Sequence, residues 1–226
     1  MLINEDLAKS VIVHAARLEW VASPATGVDR RMLYRVGGEV ARATSIVRYA
    51  PGSAFPPHVH HGGEEILVLE GTFQDEHCDY GAGSYFRNPP GTSHRPAAAE
   101  GCTIFVRLWQ FRSGDSAQIV CHRGEGKPTA LRDGASAARI LFEDSVEQVR
   151  IEDWQAGASI EIQNGQGLEF LLLSGGLLMD GEELERQSWG RLPAGRDLRA
   201  VVGAGGAQVW LKIAPLEHRD VLQMPE

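Results

Sequence analysis

The sequence predicts an all-β protein made of two tandem β-barrels or sandwiches. Three observations carry that prediction. Short runs rich in β-branched and aromatic residues recur along the whole chain with Gly or Pro between them. No long stretch has helical periodicity. The second half of the chain also repeats the first.

The strands follow in order. ARATSIVRY begins at Ala41 and ends before Pro51-Gly52. EEILVLEGTF starts at Glu64, and its unbroken apolar run fits a strand buried on both faces. GSYFRN, from Gly83, is stopped by Pro89-Pro90, and CTIFVRLWQF runs from Cys102. In the second half, EFLLLSGGLLM from Glu169 and AQVWLKI from Ala207 complete the set. The chain holds 26 glycines, which suits this many turns.

The repeat is ordered. Glu65, Leu67, Leu69, Gly71, Ser84, Arg87, Pro89 and Gly91 recur at one offset of 104 residues as Glu169, Leu171, Leu173, Gly175, Ser188, Arg191, Pro193 and Gly195. Tyr85 answers to Trp189, and Arg107-Leu108 to Lys212-Ile213 with one residue of slippage. A period of about 100 residues is too long for a solenoid unit and fits a duplicated domain. The expected organisation is a first barrel over 1–112, a polar linker over 113–136 and a second barrel over 137–226.

Composition narrows the function. The formal charge of −8 argues against a nucleic-acid surface, and no Lys/Arg run offers a membrane-surface patch. No segment reaches about 18 uninterrupted apolar residues, and the N-terminus lacks a basic start followed by an apolar core. Three cysteines, Cys78, Cys102 and Cys121, form no CxxC pair, so the expectation is a reduced, cytoplasmic protein.

Chemistry concentrates in PPHVHHGGEEILVLEG, which starts at Pro56. On a strand, His58 and His60 point to one face. A Gly-Gly turn then leads into Glu64-Glu65, of which only one can join the histidines, and parity alone does not say which. Downstream, GSYFRNPPGTSH turns at Pro89-Pro90-Gly91 and ends in His94. Three imidazoles and a carboxylate suit zinc, iron, manganese, copper or nickel.

The spacing His58-x-His60-xxx-Glu64-xxxxxx-Gly71, followed by Gly83-xxxxx-Pro89-x-Gly91-xx-His94, resembles the two cupin motifs. One departure is Ala98, where an asparagine is often found. The resemblance implies jelly-roll barrels and a metal held by His58, His60, Glu64 and His94. The repeat agrees on Glu64: in the second half His94 becomes Leu198 and Glu64 becomes Leu168, whereas Glu65 persists as Glu169. His58 and His60 fall near Ile162 or Gln163 and Asn164 or Gly165. The second barrel is therefore expected to be a degenerate copy without metal. Arg87 and Arg107 keep basic counterparts there, which assigns them a structural role. His61 is expected to be solvated or to support a ligand, Glu65 to make a structural hydrogen bond or salt bridge, and Tyr49, Tyr85 and Arg48 are candidates for the pocket.

Residues 27–110 are similar to the cupin-like C-terminal domain of ChrR-type anti-sigma factors, through ATSIVRYAPG, HGGEEILVLEG, FQDE and GSYFRNPPG. That family binds zinc and responds to oxidative signals, and a separate helical domain grips the sigma factor. The residues before Gly27 are too few for such a domain and contain no cysteine, so sigma-factor binding is not expected. The resemblance implies one divalent transition metal per chain, zinc first, with iron, manganese or nickel as alternatives. The expected function is a small-molecule or oxidative-stress sensing or binding protein. The alternative is a non-haem dioxygenase acting on a small diketone-like substrate, since four protein ligands leave two positions of an octahedral ion open. No general base apart from the ligands stands out. Apolar strands such as EFLLLSGGLLM predict that the barrels pack together, with a homodimer as a further expectation.

Overall fold

The structure, a computed structural model, describes residues 1–225. The described residues are all-β apart from a single turn of 3-10 helix at Ala15–Arg17. It divides into two compact units that interleave in sequence. The first contains Met1–Glu5, Glu19–Gly124 and the residues from Glu217 on; the second contains Asp6–Leu18 and Glu125–Leu216. The segment read as a linker carries two short strands. Ile119–Cys121 pairs with Tyr85–Asn88 in the first unit, and Lys127–Pro128 pairs with Ala135–Glu143 in the second.

In the first unit the main sheet runs in the order Leu2–Ile3, Val28–Gly37, Ala41–Tyr49, Cys102–Leu108, Glu64–Gln74, Tyr85–Asn88, Ile119–Cys121, with every neighbour antiparallel. His58–Val59 and Ser93–His94 form a separate two-stranded pair. Register decides which side chains share a face, because directly paired residues point the same way and successive residues alternate. Glu64 lies opposite Leu108 and Asn88, and Ile66 opposite Val106 and Phe86. These side chains form one face, and Ile66, Val68, Phe73, Phe86, Ile104 and Val106 pack there as the core of the unit. Glu65 lies opposite Arg107 and Arg87 on the other face. There its carboxylate takes a 2.6 Å contact from Arg107 Nη1 and accepts a 2.9 Å hydrogen bond from the Tyr85 hydroxyl. Both faces of this strand are buried, which explains its unbroken apolar sequence.

The second unit shows the same registers 104 residues on. Leu168 pairs with Leu192, and Glu169 pairs with Arg191 and Lys212. Trp189 Nε1 donates to Glu169 Oε1 at 2.8 Å, so the exchange of Tyr85 for Trp189 keeps a donor to the buried carboxylate. The recurring glycine has a steric cause. Gly71 and Gly175 both adopt positive φ, and a Cβ on either would sit within 2.2 Å or 1.9 Å of the facing carbonyl of Gly101 or Gly206.

Ile160, Ile162, Leu168, Phe170, Leu192 and Leu198 belong to a continuous apolar core in the second unit. Phe170 is fully buried at its centre. Phe170→Ala is expected to cost about 3–5 kcal/mol, read as a lower urea midpoint for this unit.

Candidate metal centre

Local pairing brings the four candidate ligands together. In the two-stranded pair His94 lies directly opposite His58. The His60 N–H donates to the Thr92 carbonyl at 2.9 Å and the Gly91 N–H donates to the His60 carbonyl at 3.0 Å, so the Pro-Pro-Gly turn is stitched onto the histidine segment. Glu64 enters from the first residue of its long strand. The ligand atoms of His58, His60, Glu64 and His94 all lie within 4.8 Å of one another. The three imidazole rings form a triangle with centroids 4.6 to 5.1 Å apart and planes nearly perpendicular. Glu64 Oε1 is 3.2 Å from both His60 Nε2 and His94 Nε2.

The surrounding hydrogen bonds fix which nitrogens carry protons. The Thr92 hydroxyl donates its only proton to the Pro89 carbonyl at 2.7 Å, so it can only accept from His60 Nδ1, 2.9 Å away. His60 Nε2 is therefore left with a lone pair, buried and without a hydrogen-bond partner. Behind His94, the Asp75 carboxylate lies 3.4 Å from Nδ1, a charge contact without hydrogen-bond geometry that favours the proton on that nitrogen and the lone pair on Nε2, facing the cluster. Asp75 is itself held by the backbone N–H groups of His77 and Cys78 at 2.8 and 3.0 Å and by the Tyr80 hydroxyl at 3.2 Å. Asn88 Nδ2 donates to Glu64 Oε1 at 2.9 Å.

Burial sets the charge state. It pushes His60 down to about 3, helped by the neighbouring His94 and His58, and pushes His94 down to about 4, with Asp75 opposing. His58 is also lowered by burial, against a hydrogen bond to the Pro56 backbone. Glu64 is pushed up to about 7 by burial, with Asn88 pulling it down and Asp75 pushing it up. The histidines are thus neutral at pH 7, as metal ligation requires. The lone pairs of His60 and His94 converge on the Glu64 carboxyl group, which keeps a proton about half the time near neutral pH, and a divalent cation could replace that proton and satisfy the set.

The cluster opens on a chamber of about 560 Å³ that reaches His58, His60 and Glu64. Its walls are mostly apolar and include Tyr49, Phe55, Val47, Ile104, Val106 and Trp109. Trp109 has a positive φ of 59°, and its ring lies so close to Gly62 that a Cβ there would meet it at 2.0 Å. The Gly-Gly after the histidines therefore seats an aromatic wall residue.

Of the pocket candidates, Tyr49 lines the chamber, and burial beside Glu64 raises its hydroxyl well above the usual range. His61 is exposed at the chamber rim. Arg48 instead pairs with Asp29 at 2.7 Å and stacks on Trp20. Tyr85 binds Glu65 on the opposite face, and Arg87 pairs with Asp115 at 2.7 Å. Ala98, in place of the frequent asparagine, is fully buried in the core. Asn88, Thr92, Asp75 and Trp109 were not picked out from the sequence. Two of them carried a signal: at the constant offset Asn88 becomes Leu192 and Asp75 becomes Met179, lost together with the candidate ligands.

In the second unit the corresponding positions hold Leu168, Leu192 and Leu198, all in the apolar core. At the position of His60, Asn164 donates its amide to the carbonyls of Leu192, Pro193 and Arg196 and accepts from Gly167 N. A side-chain clamp stands where the first unit has an imidazole.

The N-terminal half of the chain carries a cupin-like domain. Within it, residues 8–112 match the family model of the ChrR cupin-like domain. Comparison with curated proteins finds no match. Among solved structures, the chain is similar to a candidate dioxygenase from Nostoc punctiforme, with 14% identity, a TM-score of 0.70 and coverage of 97% of this chain and 88% of that one. It is also similar to the Escherichia coli pirin YhhW in complex with nickel(II), with 11% identity, a TM-score of 0.68 and coverage of 92% and 100%. A mutant of Bacillus subtilis oxalate decarboxylase OxdC gives 15% identity, a TM-score of 0.62, and coverage of 92% and 77%. At these identities the likeness concerns the fold.

Thr92→Val and Asn88→Leu remove groups that orient His60 and Glu64 without touching a donor atom. Each is expected to weaken metal affinity about 10–100-fold, measured by competition with a chromogenic chelator, while the fold persists.

Proposed function

We propose that this chain is a bicupin whose first barrel binds one divalent transition metal through His58, His60, Glu64 and His94 and presents it to a small-molecule ligand. The second barrel is a degenerate copy that serves as scaffold. The observation that carries the reading is the convergence of four donor atoms, with the histidines held neutral, beside an apolar chamber. A bound ion would supply Lewis acidity toward an oxygen-bearing ligand. The chain's own contribution is to orient the donors through Thr92, Asn88 and Asp75 and to surround the ligand with apolar walls that exclude water.

Zinc leads among the metals, on the resemblance to the ChrR domain, and the nitrogen/oxygen donor set also takes iron, manganese or nickel. The role that follows is sensing or binding of a small molecule, and no sigma-factor contact is part of this proposal. A second reading, a non-haem dioxygenase acting on a diketone-like substrate, is favoured by the same chamber, which reaches His58, His60 and Glu64. Tyr49 is the chamber hydroxyl available to hydrogen-bond a substrate oxygen, and its raised pKa keeps it a donor. Oxygen consumption by the iron-loaded protein with a 1,3-diketone separates the readings. Uptake supports the oxygenase, and ligand binding without uptake supports the sensor.

The site assignment has an internal control. His94→Ala is expected to reduce metal content to background in elemental analysis, whereas Glu65→Gln, one residue from a ligand but on the opposite face, keeps it. Equal metal content in both variants contradicts the assignment.

A further inference from the structure

The chamber contains a charge that the metal reading does not use. Arg30 sits on Val28–Gly37 and pairs with Val47, which in turn pairs with Ile104. This register places Arg30 on the inner, core-facing side of the sheet with Val28, Val47 and Ile104, and all four line the chamber. Only 18% of its side chain is exposed. Its guanidinium makes no hydrogen bond among the described residues, and its Nε is buried without a partner. The nearest carboxylate, Glu39 Oε2, lies 3.8 Å from Nη1 on a side chain that is 70% exposed, a loose contact at the rim.

The other enclosed arginines near this sheet are built differently. Arg87 has Asp115 at 2.7 Å, Arg107 has Glu65 at 2.6 Å, and Arg35 donates to the backbone carbonyls of Gly38 and Glu39. A mostly enclosed guanidinium beside an apolar cavity, with its Nε buried and no hydrogen bond of its own, offers a planar fork shaped for a carboxylate. Along the sheet Arg30 is three strands away from the strand of Glu64, so a molecule touching both must cross the apolar walls between them. The second unit supports the link to a ligand. By register the counterpart of Arg30 is Ala138, since Ala138 pairs with Glu152 and Glu152 with Val209 as Arg30 pairs with Val47 and Val47 with Ile104. The arginine is missing from the unit that also lacks the ligands.

We infer that the ligand of the first unit is a small organic acid with an apolar body, its carboxylate held by Arg30 and its body lying in the chamber against Val47, Ile104 and Val106. This rests on the proposed function only in placing the other end of the acid at the metal cluster. The chamber volume of about 560 Å³ falls in the range of roughly 300–1,000 Å³ that accommodates metabolite-sized ligands.

Isothermal titration of the metal-loaded full chain with octanoate, 4-phenylbutanoate and 2-oxooctanoate, each against its methyl ester, tests the inference. At least one acid is expected to bind 10-fold or more tighter than its ester. Arg30→Gln is expected to remove that preference, and Arg30→Lys to retain part of it, with metal content unchanged in both. If no acid outbinds its ester, or if Arg30→Gln binds the acids as the wild type does, the inference is overturned. Repeating the titration with His94→Ala separates the two claims. A preference for acids that still depends on Arg30 upholds the carboxylate site whatever that variant's metal content says about the cluster.

Discussion

Three imidazoles and one carboxyl group face one another, with His60, Glu64 and His94 buried and His58 at the exposed edge. Thr92, with its own proton committed to Pro89, draws the His60 proton to Nδ1, and the charge of Asp75, 3.4 Å from His94 Nδ1, favours the same tautomer there. Lone pairs held this close repel unless a proton or a metal cation lies among them. Much of the first unit serves to hold them there: the Pro-Pro-Gly turn tied to His60, the loop whose backbone amides grip Asp75, and the strand register that sets Asn88 beside Glu64.

The fold supplies its own contrast. The same strand pairings in the second unit surround leucines in place of Glu64, Asn88 and His94, and an asparagine clamp in place of His60. A jelly-roll-like scaffold therefore does not require the cluster, and the polar residues of the first unit call for an explanation beyond the fold. The opposite face makes the converse point. Glu65 and Glu169 both keep an aromatic donor, Tyr85 and Trp189, because a buried carboxylate must be satisfied whether or not a metal site lies behind it.

The class of fold was legible because strand length, β-branched runs and glycine punctuation are local signals, and the observed Ala41–Tyr49 and Glu64–Gln74 follow them closely. Val28–Gly37 and Ala135–Glu143 were harder to see, since arginines and alanines interrupt their apolar pattern. The four clustered residues were legible because they are chemically distinctive and fall in two short motifs. Thr92 and Asp75 were not, because their role depends on which nitrogen of a histidine they face, a matter of three-dimensional orientation. Arg30 was invisible for a related reason: only strand register shows that it points inward, and only the surrounding contacts show that its guanidinium lacks a built partner. Asn88 could have been found by extending the comparison of the two halves beyond the motif positions.

The central claim is that one metal ion lies in the first unit and none in the corresponding place in the second. Anomalous diffraction from crystals of the metal-loaded protein, recorded at the absorption edge of the ion, tests it most directly. The account predicts one strong peak per chain, bonded to His58, His60, Glu64 and His94. A peak outside that cluster, a second peak near Leu168 and Leu198, or no peak in crystals of metal-loaded protein would contradict it.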